Sequence, residues 1–318
     1  MSWSGRWRGS REVSDDLSNS KTPSKRNMFM HAWRSRSRYW RLGRLVFILS
    51  VLVVTMRFTG WMESYAFYFP SRAAFVNPPG FEDVWITTPD GKKLHGWFMR
   101  AADAKPGEVR PAILHCHGNA GNVESHLDFS HFMTDTGFHV LIFDYRGYGR
   151  SDPVKPLSRK MLATDALAAF DALVARPDVD PARVGVYGVS LGAVFALSVA
   201  KERTAAACVC TVAAFSSWGG VAADHLPVLG GLLIASGLDP ADLVVGLGKR
   251  SFHVVHGDAD EIIAVRHAGV LELAAQAAGV SVSIARINGG DHNGIMDRQE
   301  SRHSVSQFFT KALITKSK

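Results

Sequence analysis

At 318 residues, 47% hydrophobic and 20% charged, the chain has ordinary globular composition and enough apolar material for a large core, which fits one large α/β domain with an appendage better than two equal domains. The net charge of +7 does not read as a nucleic-acid surface, because residues 1–44 carry 11 Lys/Arg against 3 Asp/Glu and the remainder balances at −1. The three cysteines give no disulfide framework: Cys208 and Cys210 lie two apart on an expected strand, face the same side and cannot bridge without distorting it, and Cys116 reads as a small buried residue.

Residues 1–41, rich in Ser, Arg and Trp and without apolar periodicity, read as a disordered basic tail. An uncharged run from Leu45 to Met56 follows, bounded by Arg44 and Arg57. That run alone is too short for a bilayer, which takes about 20 residues, but the segment 42–62 reaches the length if both arginines snorkel. Basic residues precede it, and Trp61, Tyr65, Phe67, Tyr68 and Phe69 follow it. It therefore reads as a single-pass transmembrane anchor with the N-terminus cytoplasmic and the main domain extracytoplasmic. The long basic leader and the lack of an Ala-x-Ala site disfavour a cleaved signal peptide; a hydrophobic helix lying on the domain is the other reading. Cysteine usage permits an extracytoplasmic location without supporting it.

The main domain is expected over 71–318. From residue 80 onward strand-like and helix-like segments alternate, as in a mostly parallel sheet with helices on both faces. Strands are expected at 83–87, 93–99, 111–116, 139–144, 184–187, 206–212, 252–256 and 282–287, the first two joined by a hairpin turn at Pro89-Asp90-Gly91. Helices are expected at 161–175, 191–201, 264–278 and 304–314. The interval 215–250 is longer than a simple connection needs and is apolar at Trp218, Leu226, Pro227, Val228, Leu229, Leu232, Leu233 and Ile234. A lid over the active site and a crossover helix buried on the sheet both fit it.

Gly188-Val189-Ser190-Leu191-Gly192 lies between an expected strand and an expected helix, the setting of a nucleophile elbow. Such a turn strains the serine and needs positions two before and two after it to be nearly side-chain-free. A serine hydroxyl is a poor nucleophile at neutral pH, so it requires a histidine base and a carboxylate that orients the histidine. In the chain order Ser, acid, His, the acid falls in His256-Gly257-Asp258-Ala259-Asp260, where Asp260 is favoured over Asp258 because the latter suits a turn-capping role. The base falls on His292 in Gly289-Gly290-Asp291-His292-Asn293, since His303 lies on the terminal helix. An oxyanion hole requires two backbone N–H groups. Leu191 supplies one, and Asn119 in His117-Gly118-Asn119-Ala120-Gly121-Asn122 is the choice for the other. His115 and His117 share a strand face, but no carboxylate or fourth ligand is nearby in sequence, so no metal site is expected. Arg146 and Tyr148 read as loop-locking residues rather than an anion site.

With these residues assembled the chain resembles the α/β-hydrolase superfamily, and within it the membrane-anchored branch similar to the ABHD13 and BEM46 group. The resemblance covers about residues 42 to 315 and is carried by Tyr68-Phe69-Pro70, Thr88-Pro89-Asp90-Gly91, Leu94-His95-Gly96-Trp97, the 117–122 loop, Asp144-Tyr145-Arg146-Gly147-Tyr148-Gly149-Arg150-Ser151, the elbow and the acid loop. It implies an α/β-hydrolase fold with a mostly parallel eight-stranded sheet, a triad of Ser190, Asp260 and His292, and an oxyanion hole at Asn119 and Leu191, without cofactor or metal. Ala193 stands where relatives often have a third glycine, and Val189 replaces a commonly polar residue.

The expected activity is hydrolysis of carboxylic esters or thioesters through an acyl-enzyme, on a lipid or acylated substrate at a membrane. Amide or peptide cleavage by the same chemistry stays open, as does a catalytically silent membrane-tethered interaction module. Serine at the elbow argues against dehalogenase and epoxide-hydrolase relatives, which place aspartate there.

Overall fold

The computed structural model describes residues 25–58, 61–227 and 229–315. The chain divides into two units, 1–54 and 55–318. Helix α1 (Lys25–Phe58) begins inside the segment expected to be disordered, whose first 24 residues lie outside the described ones. Between residues 25 and 58 there is no proline and one glycine, Gly43, so nothing interrupts helical hydrogen bonding once it starts. Along α1 the side chains of Leu45, Val46, Phe47, Ile48, Leu49, Val51, Leu52, Val53 and Val54 are exposed. Among the described residues no helix is long and apolar enough to cross a membrane. The uncharged run is closed off by Arg44 and Arg57, and the expected anchor runs on into residues 59 and 60, which lie outside the described ones.

The second unit opens with helix α2 (Trp61–Phe67) and a two-residue strand β1 (Phe69–Pro70). Then come β2 (Glu82–Thr87), β3 (Lys93–Met99), β4 (Arg110–Cys116), another two-residue strand β5 (Ala120–Gly121) and β6 (His139–Phe143). The remainder alternates as α3 (Arg159–Val174), β7 (Val179–Val189), α4 (Gly192–Glu202) and β8 (Ala206–Val212). Three short helices, α5 (Trp218–His225), α6 (Gly230–Leu233) and α7 (Pro240–Val245), precede β9 (Ser251–Gly257). Helix α8 (Arg266–Ala277), β10 (Val282–Ile287) and α9 (Gln299–Leu313) complete the chain.

Eight strands form one sheet in the order β10-β9-β8-β7-β4-β6-β3-β2. β3 runs antiparallel to both of its neighbours and the other pairs are parallel. Each of the eight expected strands is present. Alternation along β4 feeds two cores: Ala112, Leu114 and Cys116 pack with α3 and α4, while Ile113 faces the side that holds Phe309 of α9. Burial on both faces explains why the central strands read as continuous apolar runs.

In the interval 215–250, α7 takes the crossover position, packed on α4 and α8 with Leu243 and Val244 buried. α5 and α6 pack on each other as an additional pair. Trp218 is fully buried at the start of α5, whereas Leu226 and Leu229 are exposed; Val228 lies outside the described residues.

Candidate active site

Strand β7 delivers Ser190 and α4 leaves from it. The serine adopts φ 52°, the left-handed region that costs a side-chain-bearing residue energy. Its own N–H donates to Val212 O at 2.8 Å, tying the turn to β8. A Cβ on Gly192 would lie 2.0 Å from Cys116 O and 2.5 Å from His117 O, and one on Gly188 would lie 2.6 Å from Gly192 O. The elbow therefore closes only because both positions are glycine. Val189 and Ala193, the two departures from the motif, are buried in the core.

The loops after β9 and β10 bring the acid and the histidine to this turn. His292 Nε2 lies 3.0 Å from Ser190 Oγ, and its Nδ1 lies 2.8 Å from Asp260 Oδ2. The three residues that sequence order selected are thus in one hydrogen-bonded chain, drawn from three strand ends. Asp260 Oδ1 accepts the N–H groups of Ile262 and Ile263 at 2.9 and 2.8 Å. His256 Nε2–H donates to Ile263 O at 2.8 Å and lies 3.5 Å from Asp260 Oδ2. Burial alone would raise the Asp260 carboxyl, but hydrogen bonding from His256, His292 and the Ile263 amide outweighs it and holds the group well below the usual carboxylate range. Asp258 has a different role, accepting Gly289 N–H at 2.6 Å and so joining the acid loop to the histidine loop.

His256 was not singled out by sequence reasoning. Its signal is a polar residue at the end of the apolar strand Phe252-His253-Val254-Val255-His256, fully buried where the strand meets the site.

Asn119 and Leu191 flank the same turn, one in the loop after β4 and the other directly after Ser190. Among the described residues neither backbone N–H has a backbone partner, which leaves both available to an oxyanion. The Asn119 side chain is engaged, with Oδ1 accepting Phe69 N–H at 3.1 Å. His115 and His117 are also engaged, His115 Nδ1 lying 2.8 Å from Ser130 Oγ and His117 Nδ1–H donating to Gly118 O at 2.8 Å. Burial pushes both imidazoles well below the usual histidine value. Arg146 locks its loop, holding buried Asp165 through Nη2 at 2.6 Å and Asp90 through Nη1 at 2.7 Å.

Helix α5 reaches the acid loop. His225 Nε2–H donates to Ile262 O at 2.9 Å, and Asp224 pairs with Arg266 and with His267 Nε2, the latter at 2.9 Å.

A family model described as serine aminopeptidase, S33, matches residues 107–235, which include the 117–122 loop and the elbow. The chain is 29% identical over 230 residues to the uncharacterized protein YfhR of Escherichia coli (strain K12), covering 71% of this chain and 80% of that protein. It is 35% identical over 127 residues to the lysophosphatidylserine lipase ABHD12 of Gallus gallus, covering 37% of this chain and 31% of that one. Among solved structures, the Pyrococcus furiosus esterase Pf2001 superposes with a TM-score of 0.65 at 20% identity, over 79% of this chain and 98% of that chain, a likeness of fold.

Proposed function

We propose, from the premise that the chain belongs to the α/β-hydrolase superfamily, that it is a serine hydrolase cleaving carboxylic esters or thioesters through an acyl-enzyme. The observation that carries this reading is the continuous chain Ser190 Oγ, His292, Asp260, with contacts of 3.0 and 2.8 Å at a strained elbow.

Ser190 Oγ attacks the acyl carbonyl while His292 Nε2 takes its proton. The carbonyl oxygen becomes an oxyanion and is met by the N–H groups of Leu191 and Asn119. His292, now an imidazolium stabilised by ionised Asp260, delivers the proton to the departing alcohol or thiol. Water then enters, loses a proton to His292 and attacks the acyl-serine, and collapse of the second tetrahedral intermediate releases the acid and restores Ser190. No cofactor or metal enters these steps.

For the substrate we favour a lipid or acylated molecule. The lipase named among the relatives supports this, as do the exposed apolar side chains of α1, which suit a membrane anchor over residues 42–62. The closer kinship is then with the membrane-anchored ABHD13/BEM46-like branch, with the N-terminus cytoplasmic and the catalytic domain extracytoplasmic. Amide or peptide cleavage by the same triad is a second reading, favoured by the serine aminopeptidase description of the matching family.

Fluorophosphonate labelling of the purified wild type and Ser190→Ala tests the mechanism. Labelling confined to the wild type is expected. Acyl-chain series of ester, thioester and amide substrates then rank the leaving groups. A folded wild type that neither labels nor hydrolyses any series would instead fit a silent tethered module.

A further inference from the structure

The loop that carries the Asn119 N–H is held on either side of that residue by His117 Nδ1–H, which donates to Gly118 O at 2.8 Å, and by His126 Nε2–H, which donates to Ala120 O at 2.6 Å. It holds Gly118 and Gly121, the latter at φ 85°, and its strand β5 has only two residues. An oxyanion donor works only if it is held to within about 0.5 Å of its productive position, and glycine-rich backbone does not hold itself. Restraint on Asn119 itself comes from upstream in the chain.

β1 runs parallel to β5, with Phe69 opposite Ala120 and Pro70 opposite Gly121. Ser71 N–H donates to Gly121 O at 2.9 Å, and Phe69 N–H donates to Asn119 Oδ1 at 3.1 Å. Tyr148 Oη lies 3.5 Å from that same Oδ1. The far side of the segment is fixed as well: Ser71 O accepts Gly149 N–H at 2.9 Å, and Arg72 donates to Ser151 O at 2.6 Å. Its near end is fixed through Tyr68 Oη–H, which donates to Glu63 Oε1 at 2.6 Å, while Arg159 N–H donates to that carboxylate oxygen at 2.7 Å. The Phe69 side chain is 56% exposed, so its link to the loop is its backbone N–H rather than its ring.

We infer that residues 69–72 form a strap that positions the oxyanion loop, with Phe69 N–H and Asn119 Oδ1 as the positioning pair that aims the Asn119 N–H. This rests on the serine-hydrolase reading. Phe69→Pro removes the donor, and Asn119→Ala removes the acceptor while keeping the backbone N–H that faces the oxyanion.

The test is a double-mutant cycle in the full chain, read with a p-nitrophenyl ester and with a boronic acid that mimics the tetrahedral intermediate. Each single variant is expected to lower kcat about 10- to 100-fold, with KM within about twofold, and to weaken boronate binding in parallel. The double variant is expected to lose no more than Asn119→Ala alone, because that variant already removes the Phe69 bond together with the longer Tyr148 contact. A merely structural role would lower the melting temperature without separating kcat from KM. Wild-type kcat in Asn119→Ala overturns the strap's role, even if Phe69→Pro fails to fold, and so do losses that add in the double variant. Absence of labelling and hydrolysis in the wild type overturns the serine-hydrolase reading, and the strap's role with it.

Discussion

Asp260 spends both carboxylate oxygens at once. Oδ1 takes two backbone N–H groups and Oδ2 takes His292, so an amide cannot replace it. Whichever way an asparagine turns, its NH2 faces either the Ile262 and Ile263 donors or the imidazole. In the second case the imidazole is held in the wrong tautomer for accepting the serine proton. Asp260→Asn is expected to lower kcat by about 10⁴-fold, the scale seen when a triad aspartate is so replaced, with KM little changed in steady-state ester hydrolysis. The same carboxyl has a pH signature. Its folded value lies below the unfolded one of about 3.9, so its stabilisation is complete above the unfolded value and is lost as pH falls through the folded one. The stability gap between wild type and Asp260→Asn should therefore be full near neutrality and shrink below about pH 4. A gap that widens on acidification, in melting curves taken across that range, would contradict this. The hydrogen-bonded chain of Ser190, His292 and Asp260 was legible in the sequence because each of the three sits just past an apolar strand. His256 opens the acid-loop pattern, but its contact with Asp260 was not legible, since a polar residue ending an apolar strand does not say what it touches.

Between elements, Arg146 forms a buried polar tie. Its guanidinium joins the β2–β3 turn through Asp90 to α3 through Asp165. Burial raises the Asp165 carboxyl and Arg146 only partly offsets that, so the arginine is what makes a fully buried carboxylate tolerable. Arg146→Ala strands that group and is expected to cost about 3–5 kcal/mol, measured as a lower urea midpoint with an unchanged slope. A loss below about 1 kcal/mol would reduce the pair to surface-bridge importance. Sequence reading found Arg146 as a loop-locking residue but not its partners, which are 56 and 19 residues away and unmarked by periodicity. The eight sheet strands were legible because burial on one or both faces writes a pattern of four or more residues. The β1–β5 pair was not, because two residues opposite two show no period at all. The interval 215–250 was ambiguous for a related reason: it contains both a crossover helix, α7, and the extra pair α5–α6, and short apolar helices look alike whichever surface they cover.

At the scale of the whole molecule the start of the catalytic unit matters more than its composition suggests. The apolar run of α1 and the strap residues 69–72 are separated by little more than α2, so two cuts only a dozen residues apart ask different questions. Removing residues 1–58 takes away α1 and leaves α2, β1 and the strap hydrogen bonds intact. That variant is expected to lose association with anionic lipid vesicles, measured by sedimentation, because the exposed apolar side chains of α1 and the basic residues before them are gone. Its kcat on a water-soluble short-chain ester should match the full chain. Removing residues 1–70 also strips the Phe69 N–H from Asn119, and kcat on the same soluble ester should fall about 10- to 100-fold further. Equal kcat for the two truncations would detach the upstream segment from catalysis. Continued sedimentation of the first would move the membrane-binding surface off α1 and onto the catalytic unit, where Trp61, Tyr65 and Phe69 are exposed. The two truncations together therefore separate what residues 1–58 do at a lipid surface from what the Phe69 N–H does for the loop at Asn119.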